Sequence, residues 1–449
     1  MKTAMPESIG SSATIGTEPP GETRPPGLPP SPPNIEATGI PFDFVVELAC
    51  KTLHRGGVMS LGAVSESLAL PVSATIDALE FMKRERLAEL KRGGDLRSAS
   101  TFALTDLGRE RARDYLEVSG YCGAVPVTLA QYGDTVRRQT IRAMLVTPEE
   151  MREAFSDAVL PPGLLDRIGP AVNSGRSVFL YGPSGTGKTF IAEHLAQVLR
   201  GSVMIPHAVS VDNRVIRVFD PATHRRVEGD AGAERGTNLL EARPSYDRRY
   251  IPCERPVVVA GGELTLAMLD LCVDAAGKYY EAPLQMKANN GVFLIDDLGR
   301  QLVRPFDLLN RWIVPLEKGR DYLALGNGKK FEIPFDELIL FSTNIEPREL
   351  ADEAFLRRIG YKIRIEDLEE KEYGEIWRRE CERAGVAFGM AELRHLIDVE
   401  HAGRGIRLRA CYPRDILARI VEICRYEGTP PRADVALIRR ACRDYFTEL

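Results

Sequence analysis

Chemistry in this chain is concentrated at residues 182–189, GPSGTGKT. Here Gly182, Pro183, Ser184, Gly185, Thr186, Gly187, Lys188 and Thr189 keep the GxxxxGK(S/T) spacing of a phosphate-binding loop. An apolar run, SVFLYG, leads into the loop and FIAEHLAQVL leads out, so the loop joins a strand to a helix, as the motif requires. The glycines let backbone N–H groups wrap a phosphate, because a side chain at those positions would obstruct the turn or the ligand. The N-terminus of the following helix adds partial positive charge. Lys188 is spaced to reach the outer phosphates as a point charge, and the Thr189 hydroxyl to bind Mg²⁺. A chance Gly-rich turn is the competing reading, and the flanking strand and helix argue against it.

Such a loop needs a carboxylate at the end of a neighbouring strand to hold the metal through its water shell. GVFLIDD supplies it: Asp296 follows four apolar residues and is expected on the metal side, and Asp297 is expected to polarise the attacking water. The blander alternative is that the pair only caps the strand end.

With these residues in place the chain resembles an AAA+ ATPase, over about residues 160–449. Three further matches carry the resemblance. ELILFSTN ends at Asn344, where the resemblance implies the polar sensor that helps orient the lytic water. ADEAFLRRIGYKIRI is similar to the family's helix bearing an arginine finger, a cation inserted into a neighbouring subunit's site; Arg358 is preferred over Arg357. YPRDIL puts Arg414 at the start of a lid helix, the position of the second sensor. Each has a plainer reading, as a turn Asn, a solvated helix-end charge and a surface Arg respectively. The family usually carries Glu where Asp297 stands, and the shorter acid implies slower hydrolysis. Within AAA+, EAPLQMKANNGVFLIDD and the hairpin-like LEKGRDYLALGNGKKFEIPF are most similar to the MoxR group. The resemblance implies ATP and Mg²⁺ as ligands and a homo-oligomeric ring, such as a hexamer.

These residues must be positioned by larger units. At 449 residues, 44% hydrophobic and 27% charged, with a net charge of −5, the chain suits two to three domains. The fold class expected is α/β: a P-loop AAA+ parallel sheet covered by helices over 161–365, followed by an all-helical lid over 366–449. The strands are read in SVFLYG, SVMIPHAVSV, PVVVAG, GVFLIDD and ELILFSTN, alternating with helical stretches. Residues 1–40 hold nine of the thirty prolines and read as a disordered tail. Residues 41–120 show three helical stretches, a strand at LAEL, a polar loop, a strand at TFALT and a helix from Asp106, which resembles a winged-helix module. Residues 121–160 read as a connector ending in one helix capped by Thr147.

The object of any remodelling is less legible. Tyr279 and Tyr280 are candidates to grip polypeptide in a central pore, with core packing the more frequent role for such a pair. Nine Arg and seven acids between Asn213 and Arg255 read as a solvated, mobile loop. His207 and His224 lack metal-ligand spacing. Residues 41–118 carry eleven Lys and Arg against twelve acids, and SATIDALEFMKRER opens with Asp77 and Glu80, poor electrostatics for DNA. Protein docking is therefore preferred to DNA contact. The expected function is ATP-driven remodelling of an unidentified protein partner; the alternatives are a DNA-associated switch and an ATP-binding scaffold with little turnover. The eight scattered cysteines show no disulfide framework or zinc spacing, and no run of about 18 apolar residues could span a bilayer. A cytoplasmic protein without membrane insertion is expected.

Overall fold

The computed structural model describes residues 28–92, 100–227 and 246–446. Its centre is a five-stranded, wholly parallel sheet in the order Val257–Ala260, Val292–Ile295, Leu338–Thr343, Val178–Tyr181, Tyr361–Arg364. The three inner strands are buried almost throughout, because both of their faces are covered. Alternate residues point to opposite sides. Val178, Leu180, Val292, Leu294, Leu338 and Leu340 pack with the helices Leu164–Asn173 and Lys188–Val198. Phe179, Phe293, Ile295, Ile339 and Phe341 face the other core, around buried Trp312.

Four of the five strand-like runs enter this sheet. The fifth, SVMIPHAVSV, instead splits into Ser202–Pro206 and Ala208–Val211. Ser202–Pro206 pairs antiparallel with Tyr250–Glu254. Ala208–Val211 joins a second five-stranded sheet that also contains Val127–Thr128, Arg214–Arg217, Tyr279–Glu281 and Cys272–Asp274. The missing edge of the central sheet is Tyr361–Arg364, whose charged flanks hide its strand character. A hairpin, Arg320–Ala324 with Lys330–Pro334, precedes the strand that ends before Asn344.

Before this region, Phe42–Gly56, Leu61–Leu68 and Val72–Arg84 form three helices, and an antiparallel sheet joins Met59–Ser60, between the first two, to Thr101–Leu104 and Ala88–Arg92 after the third. The helix Asp106–Val118 is capped by Thr105, whose hydroxyl accepts from Gly108 N–H. Tyr121, Val125, Ala208 and Val215 share one core with these helices, and Gly120 N–H donates to Gly277 O. Residues 121–160 thus contribute a strand and the helix Leu129–Arg138 as well as the expected Thr147-capped helix, Pro148–Ala154.

Two expectations are corrected. Residues 1–27 lie outside the described residues, but 28–40, expected as disordered, pack against the body: Ile35 and Ile40 are buried, and Asp247 N–H donates to Pro29 O. Two apolar anchors and a backbone bond offset the proline bias. In the Arg-rich stretch, where 228–245 lie outside the described residues, Arg249 is fully buried rather than solvated. It pairs with buried Asp247 at 2.8 Å and donates to Thr38 O and Pro126 O. Tyr279 and Tyr280 are partly buried against two cores, and Tyr279 meets the Tyr121 ring edge-on at 5.8 Å. That is core packing, the more frequent role for such a pair.

The last part is helical: Glu370–Arg383, Met390–His395 continuing as a π-helical turn Leu396–His401, Cys411–Tyr426 and Val435–Tyr445. The third of these helices begins two residues before Pro413, and the last is capped by Asp434, three residues beyond Pro431.

Candidate functional site

The buried strand Val178–Tyr181 delivers the loop to the C-terminal edge of the sheet, where ligands of open α/β folds gather. At Gly182 (φ +144°) an added Cβ would lie 2.2 Å from Ile365 O, so no side chain fits. At Gly185 (φ +82°) it would lie 2.5 Å from Cys411 Sγ. Gly187 takes a left-handed conformation and starts the helix at Lys188.

Lys188 is only 6% exposed. Its ammonium donates to Gly182 O at 3.0 Å, Pro183 O at 2.8 Å and Asn344 Oδ1 at 2.6 Å. Burial lowers its pKa below the ordinary lysine value; the charges of Asp297 and Asp296 oppose that shift, and Arg409 adds to it. Thr189 Oγ1 donates to Asp296 Oδ2 at 2.8 Å. Asp297 follows at φ +49°, a left-handed backbone uncommon for a residue with a side chain, and faces Asn344 Nδ2 at 3.4 Å. The structure therefore brings Lys188, Thr189, Asp296, Asp297 and Asn344 together.

A cavity of about 570 Å³ opens above them, within the size range of small-molecule sites. Its floor includes Ser184, Gly185, Gly187, Lys188, Thr189, Asp297 and Asn344. The lid supplies Arg414, which is paired with Asp415 at 3.0 Å. Arg358 is not among the lining residues. The helix expected to carry it is short, Glu353–Leu356; Arg357 caps it, and Arg358 follows and pairs with Glu317 at 3.2 Å.

Sequence reasoning missed the rest of the roof. Ile376, Arg379, Glu380 and Arg383 line the cavity from one face of Glu370–Arg383, with Tyr373, Trp377 and Cys381 buried on the other. The i, i+3, i+4, i+7 spacing was available, once the aromatic face is taken as core. Two polar ties join lid and base: Cys411 N–H donates to Gly185 O, and Arg379 donates to Asp157 O at 2.9 Å.

The site fits a hard divalent cation. Asp296 Oδ1 is buried without a hydrogen-bond partner, and beside it the Thr189 hydroxyl and both acids offer only oxygen. His224 has both ring nitrogens engaged, by Asp220 N–H and Lys287 O. Burial, with some help from Arg226, lowers His207 to about 4. Among the described residues, no cluster of three or more His, Cys, Asp or Glu is arranged to hold a metal ion, and the cysteines are free.

Residues 369–444 match a family described as a domain of unknown function, DUF8689. The chain is 29% identical over 98 residues to the vesicular-fusion protein sec18 of Schizosaccharomyces pombe, covering 20% of this chain and 12% of that protein. It is 29% identical over 184 residues to a proteasome-activating nucleotidase of Methanospirillum hungatei, covering 38% and 40%. The chain thus spans less than half the length of either relative. Among solved structures, NtrX from Brucella abortus in complex with ADP aligns at 14% identity and a TM-score of 0.38, covering 69% of this chain and 57% of that one.

Loop, acid pair and parallel sheet define a P-loop α/β protein with a helical C-terminal region, the AAA+ arrangement. The sequence relatives support the AAA+ ATPase family.

Proposed function

We propose that the protein is a Mg²⁺-dependent ATPase of the AAA+ type that works as a homo-oligomer in the cytoplasm and couples ATP turnover to remodelling of a protein partner. The observation that carries the reading is the Thr189–Asp296 hydrogen bond at 2.8 Å, next to the unpartnered Asp296 Oδ1 and within the same cleft as the Lys188 ammonium. Thr189 and Asp296 would hold Mg²⁺, which when bound neutralises charge on the β- and γ-phosphates.

The chain's own groups would do the remainder. Backbone N–H groups from Ser184 to Thr189 cradle the phosphates, and Lys188 exchanges its loop carbonyls for phosphate oxygens. Asp297 accepts a proton from the attacking water, and Asn344 fixes the direction of that carboxylate. Arg414 approaches from the lid, and Arg358 would act on a neighbouring copy's site. The relatives' names, a vesicular-fusion protein and a proteasome-activating nucleotidase, support a protein partner. The hairpin Arg320–Ala324 with Lys330–Pro334 supports a place near the MoxR group.

In this reading residues 369–444 are a nucleotide lid, which gives the DUF8689 match a role. The N-terminal helices and sheet act as a winged-helix module for protein docking. On the helix Val72–Arg84, Asp77 and Glu80 are exposed alongside Lys83 and Arg84, so that face is not a basic one. Phosphate release from ATP, present with Mg²⁺ and abolished by EDTA, is the test. Tight binding with no turnover would leave only the scaffold reading.

A further inference from the structure

The two acids sit on a turn that needs outside support. Asp297 is held at φ +49° and Gly299 at φ +107°. The adjoining strand fixes the middle of the turn: Leu298 N–H donates to Ser342 O at 2.8 Å, and Thr343 Oγ1 donates to Leu298 O at 2.6 Å. Asp296 N–H also donates to Ala260 O at 2.9 Å and Arg300 N–H to Asp297 O at 3.0 Å, and a single side chain adds four more contacts. Gln301 Nε2 lies 3.1 Å from Asp296 O, 3.3 Å from Asp297 O and 3.3 Å from Gly261 O, while Gln301 Oε1 accepts from Gly299 N–H at 2.8 Å.

An uncharged primary amide suits this place in both size and polarity. Its two hydrogens serve three carbonyls and its oxygen meets an N–H, so the amide orientation follows from its surroundings. Glu would turn a second acceptor toward the three carbonyls. Leu would fill the volume but take the amide donor away, leaving Asp297 O with only Arg300 N–H and Gly261 O with only Leu264 N–H. Gln301 is buried and is not among the residues lining the cavity.

We propose that Gln301 is the positioning residue of the acid pair: it clamps the Asp296 and Asp297 carbonyls to Gly261 at the end of the next strand, and so keeps the Asp297 carboxylate in the cleft and that of Asp296 on Thr189. The role rests on the nucleotide-site reading above. Without the clamp, Asp297 can relax from its left-handed conformation, and its carboxylate leaves the line to Asn344.

The test uses the full chain and two variants, Gln301→Leu and Gln301→Glu. Calorimetry gives the affinity for Mg-ATP, phosphate release gives kcat and KM, and electron paramagnetic resonance gives Mn²⁺ affinity in the presence of ADP. Expected are kcat lower by about 10- to 100-fold in both variants and Mn²⁺ held several-fold more weakly, with Mg-ATP affinity changed by less than about threefold. Gln301→Glu, which nearly keeps the volume, guards against misreading a folding defect, and a urea titration of each variant checks it. Wild-type kcat and Mn²⁺ affinity in the variants would overturn the positioning role alone. A wild-type protein that binds neither Mg-ATP nor Mn²⁺ with ADP would remove the nucleotide reading, and the role of Gln301 with it.

Discussion

Asn344 accepts the Lys188 ammonium on Oδ1 at 2.6 Å. The same side chain turns Nδ2 toward Asp297 Oδ1 at 3.4 Å, so the cation of the phosphate loop and the second acid share one amide. The first consequence concerns Asp297. Replacing it with Asn removes the proton acceptor and leaves Lys188, Thr189 and Asp296 in place. Asp297→Asn should bind Mg-ATP about as well as wild type and lose turnover by about 10²-fold or more. Phosphate release at saturating ATP checks this, and normal turnover would reassign the base.

Arg358 is paired with Glu317 and is not among the residues lining its own chain's cleft. A role across a subunit boundary therefore predicts that Arg358→Ala keeps nucleotide affinity and lowers turnover. Mixing it with wild type should reduce activity by more than dilution. Full activity in a strictly monomeric preparation would exclude that role.

Arg249 and Asp247 are a buried ion pair, 2% and 4% exposed. Removing one partner strands the other charge, so Arg249→Met should destabilise the fold by about 3–5 kcal/mol. The double variant Arg249→Met with Asp247→Leu should recover much of that loss, because apolar groups replace such pairs at little cost. Urea midpoints of the three proteins provide the comparison. A single variant as stable as wild type would show that the pair does not hold residues 28–40 to the body.

His401 lies among Tyr373, Tyr412 and Phe446 in the lid, with its Nε2 2.7 Å from Tyr373 Oη. Burial, and then the Arg404 charge, lower its pKa from 6.5 to about 4. Between those values the unfolded chain binds a proton that the folded lid refuses, so stability is full above about pH 6.5 and falls as pH drops toward 4. His401→Phe should flatten that dependence by up to about one proton. Unfolding measured at pH 7 and pH 5 in both proteins reads the difference, and an unchanged slope would contradict the assignment.

How much of this was legible beforehand depends on where the partners lie in the chain. Gly182 to Thr189 is contiguous, and its chemistry permits few spellings, so loop, strand and helix could be read directly. Asp296, Asp297 and Asn344 were legible because each ends an apolar run. Arg249 was not, since the carbonyls that hold it belong to Thr38 and Pro126, more than a hundred residues away. Tyr361–Arg364 was passed over because an edge strand with Lys362 and Arg364 on it lacks the apolar run of its neighbours. Arg379 and Arg383 lie in a run of charges whose cavity-facing side is set only when Trp377 and Tyr373 are packed into the lid core. Gln301 was invisible for the same reason: its partners are main-chain atoms of a turn and of the next strand's end.

Every role proposed for these residues requires that the cleft bind a metal–nucleoside triphosphate through the phosphate loop. Isothermal calorimetry of the full-length protein with Mg-ATP, alongside Lys188→Ala, tests it most directly. Wild type should give saturable heat near one ATP per chain, and Lys188→Ala none at the same concentrations. No heat with the folded wild-type protein, or equal binding by Lys188→Ala, would contradict it.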